Sequence, residues 1–207
     1  MNAFFCYLIC AVIGYGLGCC NLAYFLAKRR GVDIRGSGSG NPGASNAMIL
    51  MGWKAGILVA LHDIGKAVLA IWICSLLFPA LPLVKEAAGT ACVLGHLFPF
   101  YLRFRGGKGF ASTLGLIAAL NWRFALCLGV AIVVLVLVTD YIVWGTVTTV
   151  VSYPAYCVIT HQYIAAAMIA VISLIILYKH RENFVRIWHG TEIGLRRAHK
   201  GELRADR

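Results

Sequence analysis

Long apolar runs separated by short polar or proline-bearing breaks occupy almost the whole chain. Residues 2–27 form the first, free of charge and followed at once by Lys28, Arg29 and Arg30. The second, about 54–78, ends at Pro79 and Pro82, and the third, about 86–102, passes through Phe98-Pro99 into Arg103 and Arg105. Residues 110–120 are short for a crossing, and Asn121-Trp122-Arg123 marks a boundary. Three more runs, 124–139, about 141–160 and about 163–178, precede the basic stretch from Lys179. Roughly 20 apolar residues cross a bilayer, so the pattern predicts an all-α polytopic membrane protein with seven transmembrane helices. Five crossings plus a re-entrant hairpin at the short fourth run is the alternative. Either leaves one integral-membrane domain, 1–194, and a basic cytoplasmic tail, 195–207.

Charge orients these helices. The first run has no positive residue before it and three behind it, the reverse of a cleaved signal peptide, which predicts an anchor with the N-terminus outside. The C-terminus is then cytoplasmic. Of the 19 Lys and Arg residues, only Lys85 and Arg123 fall on the outer side and Lys66 within a span. The others lie inside, as the positive-inside bias requires. The chain is 60% apolar and 13% charged, whereas a soluble domain is roughly 45–50% apolar and about 25% charged. Its net charge of +11 follows the spans rather than forming a basic stripe, so anionic lipid and anionic substrates account for it better than nucleic acid. The eight cysteines sit almost wholly in apolar runs, with no Cys-x-x-Cys pair. They read as small packing residues rather than metal ligands or disulfides.

Under this topology three polar, glycine-bearing stretches reach one face: 36–46, 103–112 and 179–192. The first contains four glycines and can fold tightly and turn N–H groups toward an anion; a solvated linker is the plain alternative. Its Gly38-Ser39-Gly40-Asn41-Pro42-Gly43 fits G-x-G-x-x-G, but a membrane helix precedes it where a dinucleotide fold needs a strand. The second stretch sets Arg103, Arg105 and Lys108 among Gly106, Gly107 and Gly109, just before a helix whose N-terminal dipole favours phosphate. Positive-inside charge with a glycine hinge would look similar. It is not a Walker loop, since Leu102 stands where the first glycine belongs and Gly109 follows Lys108. In the third stretch His180 and Asn183 share a helix face, and Glu192 has a basic partner as its default.

Asp63 and Lys66 are costly inside a span unless paired. They lie three residues apart on one face, beside His62. A structural clamp or a catalytic acid or base fits this pair, and His96, near the end of the third run, suits either packing or a substrate contact.

The order Gly38-Ser39-Gly40-Asn41-x-Gly43-Ala44-x-Asn46, then Gly95-His96-x-Phe98-Pro99 with Gly106-Gly107-Lys108-Gly109, then His180-Arg181-x-Asn183 with Gly190-Thr191-Glu192 resembles the acyl-phosphate:glycerol-3-phosphate acyltransferase (PlsY) family of bacteria. The likeness covers about residues 10–194. It implies a multi-pass enzyme of the bacterial cell membrane, with its site at the cytoplasmic face. Such an enzyme moves a fatty acyl group from acyl phosphate to the sn-1 hydroxyl of glycerol 3-phosphate, giving lysophosphatidic acid and phosphate. By that resemblance Ser39, His180 and Asn183 are catalytic. Gly38, Gly40, Asn41, Asn46, His96, Arg105, Gly106, Gly107, Lys108 and Gly109 bind substrate or phosphate, and Asp63, Lys66 and Glu192 are structural. No cofactor or metal is implied; a soluble acyl-phosphate-forming enzyme is an implied partner, and nucleic acid is not. The chain departs from the family at Ile49, where an Arg is usual, at Pro42 and Ser45, and around Cys20-Asn21-Leu22. Arg35 is a candidate substitute for the missing Arg, and a divergent paralogue remains an alternative.

The residues suit this chemistry. An acyl phosphate carries a leaving group that departs already charged, so the protein chiefly positions two phosphates and shields a carbonyl. No Ser-His-Asp set stands at plausible spacing for a covalent acyl-serine. A transporter of a phosphorylated solute is the rival class, but it predicts two related halves with broken helices, which the sequence lacks; a purely structural subunit leaves the glycines without a role.

Overall fold

The first apolar run folds as two helices, α1 (Ala3–Cys19) and α2 (Leu22–Arg29). An asparagine causes the break: Asn21 Oδ1 accepts the Tyr24 N–H at 2.8 Å, a local cap that competes with continuing the helix. The computed structural model describes residues 2–196. Most of the basic tail, with Arg197, Lys200, Arg204 and Arg207, lies outside the described residues. After the glycine-rich loop come α3 (Ala44–Met51), α4 (Trp53–Leu77) and α5 (Val84–Leu97). A single 3-10 turn (Phe100–Leu102) leads to α6 (Phe110–Leu120), α7 (Trp122–Thr139), α8 (Ile142–Ile159), α9 (Tyr163–Lys179) and α10 (Arg181–Trp188).

Four stretches are long and apolar enough to cross a membrane: Ala3–Arg29, Trp53–Leu77, Trp122–Thr139 and Ile142–Ile159. A fifth arises if α9 and α10, bent by 44°, count as one. Among the described residues the architecture is therefore all-helical with four or five candidate spans, against the seven expected and the five of the alternative. The third predicted run, 86–102, stops as a helix at Leu97. Phe98, restricted by Pro99 behind it, leaves the helical region at φ −134°, ψ 57°. At 14 residues α5 rises only about 21 Å.

Shortness is tolerated because α5 is enclosed by protein. Gly14 and Gly18 of α1 lie against the Ala88 and Cys92 carbonyls, where an added methyl group would overlap the backbone. Gly95 lies equally close to the Tyr15 carbonyl. These small residues bring two helices into direct backbone contact, as in bilayer helix pairs generally. Gly16, between Gly14 and Gly18 in the sequence, faces open space. Tyr15 donates to the Phe98 carbonyl at 2.8 Å and Tyr101 to the Cys19 carbonyl at 2.8 Å, tying the end of α5 to the α1–α2 break. All eight cysteines are free, and six of them are buried packing residues.

Gly18→Ala destabilises the fold by about 1–3 kcal/mol through forced separation of α1 and α5, seen as a lowered thermal midpoint in detergent. Gly16→Ala leaves that midpoint unchanged or slightly raised, since alanine favours helix and meets nothing there.

Candidate active site

Three loops meet at one end of the bundle. The glycine-rich loop owes its shape to Asn46, which is fully buried on α3. Asn46 Oδ1 accepts the Ser39 N–H at 2.8 Å, and its Nδ2 donates to the carbonyls of Ile34 at 2.8 Å and Ser37 at 3.0 Å. Asn46 is thus consumed in holding the loop. Gly38 and Gly40 adopt φ of +61° and +68°, and a side chain at Gly38 would strike the Asn46 amide. From outside the loop, Asn21 Nδ2 donates to the Pro42 carbonyl at 3.0 Å.

The stretch 106–109 is moulded on His96. Gly106 and Gly107 donate their N–H groups to the carbonyls of Leu97 at 3.2 Å and His96 at 3.1 Å. Their amides are therefore spent, contrary to the expectation that they face a ligand. Their glycine character instead permits contact: a methyl on Gly107 would overlap His96 Nε2 and one on Gly106 the His96 carbonyl. The anion-facing donors begin one residue later. Among the described residues, the N–H groups of 108–112 have no protein acceptor, and they open α6, whose dipole favours negative charge.

His96 is fixed from behind. Lys66 Nζ directs its N–H groups to Asp63 Oδ1 at 2.7 Å, the Cys20 carbonyl at 3.0 Å and His96 Nδ1 at 2.8 Å. This assigns the His96 proton to Nε2. Asp63 also lies 3.4 Å from His62 Nδ1 and from His96 Nδ1. Asp63 and Lys66 clamp each other, and both approach His96 on the neighbouring helix, Lys66 more closely.

On the opposite side Lys108 Nζ donates to Asn183 Oδ1. Asn183 Nδ2 donates to Glu192 Oε1 at 2.5 Å, and Arg186 Nε to Glu192 Oε2 at 2.6 Å. Glu192 thus has the basic partner expected of it and also sets the Asn183 amide, so that the oxygen faces Lys108. Burial, with Arg186 nearby, lowers the Lys108 ammonium to about 8. His180, buried just past the end of α9, donates from Nδ1 to the Ile176 carbonyl at 2.8 Å. Burial pushes it down to about 4, so at neutral pH it is uncharged and Nε2 is an acceptor.

Two cavities adjoin here. An inner one of about 230 Å³ is lined by Asp63, His96, Lys108, Gly109, His180, Asn183 and Glu192 together with apolar Met48, Ile49, Phe110, Ile142 and Val143. An outer basin of about 880 Å³ is lined by Arg35, Arg103, Arg105, Gly106, Gly107, Lys179 and Arg181. Ser39, Asn41 and Lys108 belong to both and form the partition. Gly38 lines the inner space and Gly40 the outer. Arg35 and Ile49 face different cavities, and Arg35 Nη1 reaches the Leu102 carbonyl at 3.4 Å, so Arg35 does not stand in for a cation at position 49. The apolar wall from α8 carried no signal in the sequence, because its residues read as ordinary span; Asn21 was legible only as a polar residue inside an apolar run.

A sequence profile of the family described as glycerol-3-phosphate acyltransferase matches residues 8–190. Glycerol-3-phosphate acyltransferase 1 of Oceanobacillus iheyensis is 37% identical over 193 residues, covering 87% of this chain and 91% of that protein. The Clostridioides difficile glycerol-3-phosphate acyltransferase is 36% identical over 194 residues, covering 91% and 95%. Among solved structures, PlsY, an integral membrane glycerol 3-phosphate acyltransferase, superposes in its glycerol 3-phosphate form with a TM-score of 0.84 at 32% identity, covering 91% of this chain and 95% of that one. Its lysophosphatidic acid form gives 0.80 at 32% identity, covering 91% and 94%.

Raising the pH through about 8 discharges Lys108. Affinity for inorganic phosphate, measured by titration calorimetry in detergent, then falls by about an order of magnitude, the worth of one charge-assisted contact. Lys108→Arg stays charged and flattens this dependence.

Proposed function

The chain belongs to the glycerol-3-phosphate acyltransferase family, and from that premise we propose that it transfers a fatty acyl group from acyl phosphate to the sn-1 hydroxyl of glycerol 3-phosphate. The products are lysophosphatidic acid and phosphate. The observation that carries this reading is the pair of adjoining cavities, one basic and open, the other part apolar, parted by Ser39, Asn41 and Lys108. Glycerol 3-phosphate enters the outer basin, where Arg35, Arg103 and Arg105 attract its charge. The acyl donor sets its carbonyl end in the inner cavity, with its phosphate toward Lys108 and the open N–H groups at the start of α6.

The hydroxyl oxygen attacks the acyl carbon, the bond from that carbon to the phosphate oxygen breaks, and the hydroxyl proton ends on the departing phosphate. The buried His180 ring, its Nδ1 already donating to the Ile176 carbonyl, is a poor place to hold the positive charge that taking the proton would create. The departing phosphate therefore takes the hydroxyl proton directly, and the neutral His180 stays beside the bound glycerol as a hydrogen-bond acceptor. Ser39 and Asn183 hold the reactants in line.

We place this site on the cytoplasmic face of a bacterial cell membrane, within a single domain of residues 1–194 whose N-terminus is outside and C-terminus inside. The positive-inside distribution supports that orientation. Enclosure of α5 and α6 by longer helices supports seven crossings in which those two are short. A soluble enzyme that makes the acyl phosphate is the expected partner.

In purified protein, phosphate is released from palmitoyl phosphate only when glycerol 3-phosphate is present. Ser39→Ala and Asn183→Ala each lower kcat by about 100-fold. Release that ignores the acceptor, or full turnover in both variants, overturns the proposal.

A further inference from the structure

One wall of the inner cavity is carried by a segment with little hold on the bundle. Helix α10 hangs from α9 by the 44° bend at His180, and none of its residues is buried. Its ring contact with the bundle is Phe184 near Trp144 at 6.3 Å. Yet Asn183, Arg186, Thr191, Glu192 and Ile193 all line the cavity. The bonds of Thr191 and Glu192 N–H to the Arg186 carbonyl, at 2.8 and 3.2 Å, stiffen this flap internally without fixing it against Lys108.

Its far end is fastened elsewhere. Residues past Glu192 return to the turn between α7 and α8, where Asp140 sits in the left-handed region at φ +66°. The Asp140 carbonyl accepts the Leu195 N–H at 2.9 Å, and its Oδ1 accepts the Arg196 N–H at 3.0 Å. The Arg196 guanidinium reaches the Leu137 carbonyl at 2.6 Å. Gly194 is pressed so close to the Asp140 carboxylate that a methyl group there would overlap it.

We propose that Asp140 is a positioning residue of the transferase site: by latching residues 194–196 it fixes Glu192, through Glu192 the Asn183 amide, and through Asn183 the Lys108 ammonium. The proposal rests on the transferase reading. Asp140 lies in none of the three glycine-bearing stretches and acts on the reactants only through this chain of contacts. Its carboxylate accepts a backbone N–H at 3.0 Å and lies 3.9 Å from the exposed Arg196 Nε; so exposed an ion pair is worth little, and an uncharged acceptor of the same shape replaces it.

Glycine and asparagine both tolerate a positive φ, so Asp140→Gly and Asp140→Asn test the side chain without straining the turn. Asp140→Gly lowers kcat by about 10-fold or more, the scale set by a small misplacement of catalytic groups, while Asp140→Asn restores most of it and the thermal midpoint in detergent stays put. In a Glu192→Gln background Asp140→Gly adds little, because both changes cut the same chain. Lys108, followed by mass spectrometry after brief amine acetylation, reacts faster in Asp140→Gly than in wild type or Asp140→Asn. Additive losses, an Asp140→Asn variant as slow as Asp140→Gly, or unchanged kcat and Lys108 labelling each overturn the latch. Wild-type protein with no acceptor-dependent phosphate release overturns the transferase reading instead, and Lys108 labelling then still decides whether Asp140 holds the flap.

Discussion

A single buried ammonium holds this protein's working end in shape. Lys66 joins the carbonyl freed at the α1–α2 break, the Asp63 carboxylate of its own helix and the imidazole of His96 on α5. Burying such charges costs several kcal/mol unless every one is met. Here the three partners sit on different elements, so satisfying the charge means assembling them. His96, once fixed, is the surface on which Gly106 and Gly107 are moulded, and the direction of Lys108 and the start of α6 follows from theirs. A polar knot inside the helices thus aims a loop outside them.

The two sides of the site are built to different standards of rigidity. The glycine-rich loop and residues 106–109 are backed by Asn46, Asn21 and His96, all buried. The side bearing Asn183 and Glu192 is a short helix with no buried residue. A firm wall faced by a lighter one would let the site open on one side without disturbing the half that holds charge.

Much of this was legible in the sequence, and the reasons differ by residue. The glycine motifs and the pair Asp63/Lys66 stood out because glycine and intramembrane charge are expensive without a purpose, and the structure brings these residues to one end. What the sequence did not reveal is how Gly106 and Gly107 are held: they line the outer basin, but their amides close onto the end of α5, a contact between residues about ten apart that leaves no trace in periodicity. Helix ends were missed for a similar reason. Pro99 outweighed an apolar run that carried on past it, so the run 86–102 overstated its helix, while Asn21 put a break inside the first run, whose full length Ala3–Arg29 holds as one candidate span. The tie between Asp140 and residues 194–196 joins chain segments more than fifty residues apart and leaves no local trace.

The brevity of α5 bears on how water and fat come together. A helix of 14 residues starting at one boundary of the hydrocarbon stops roughly 9 Å short of the other, given a rise of about 21 Å against a thickness of about 30 Å. The turn that follows, with Phe100 and Tyr101 exposed on it, would then lie within the leaflet rather than above it, and the basic residues Arg103 and Arg105 behind it would be brought down to the level of the acyl chains.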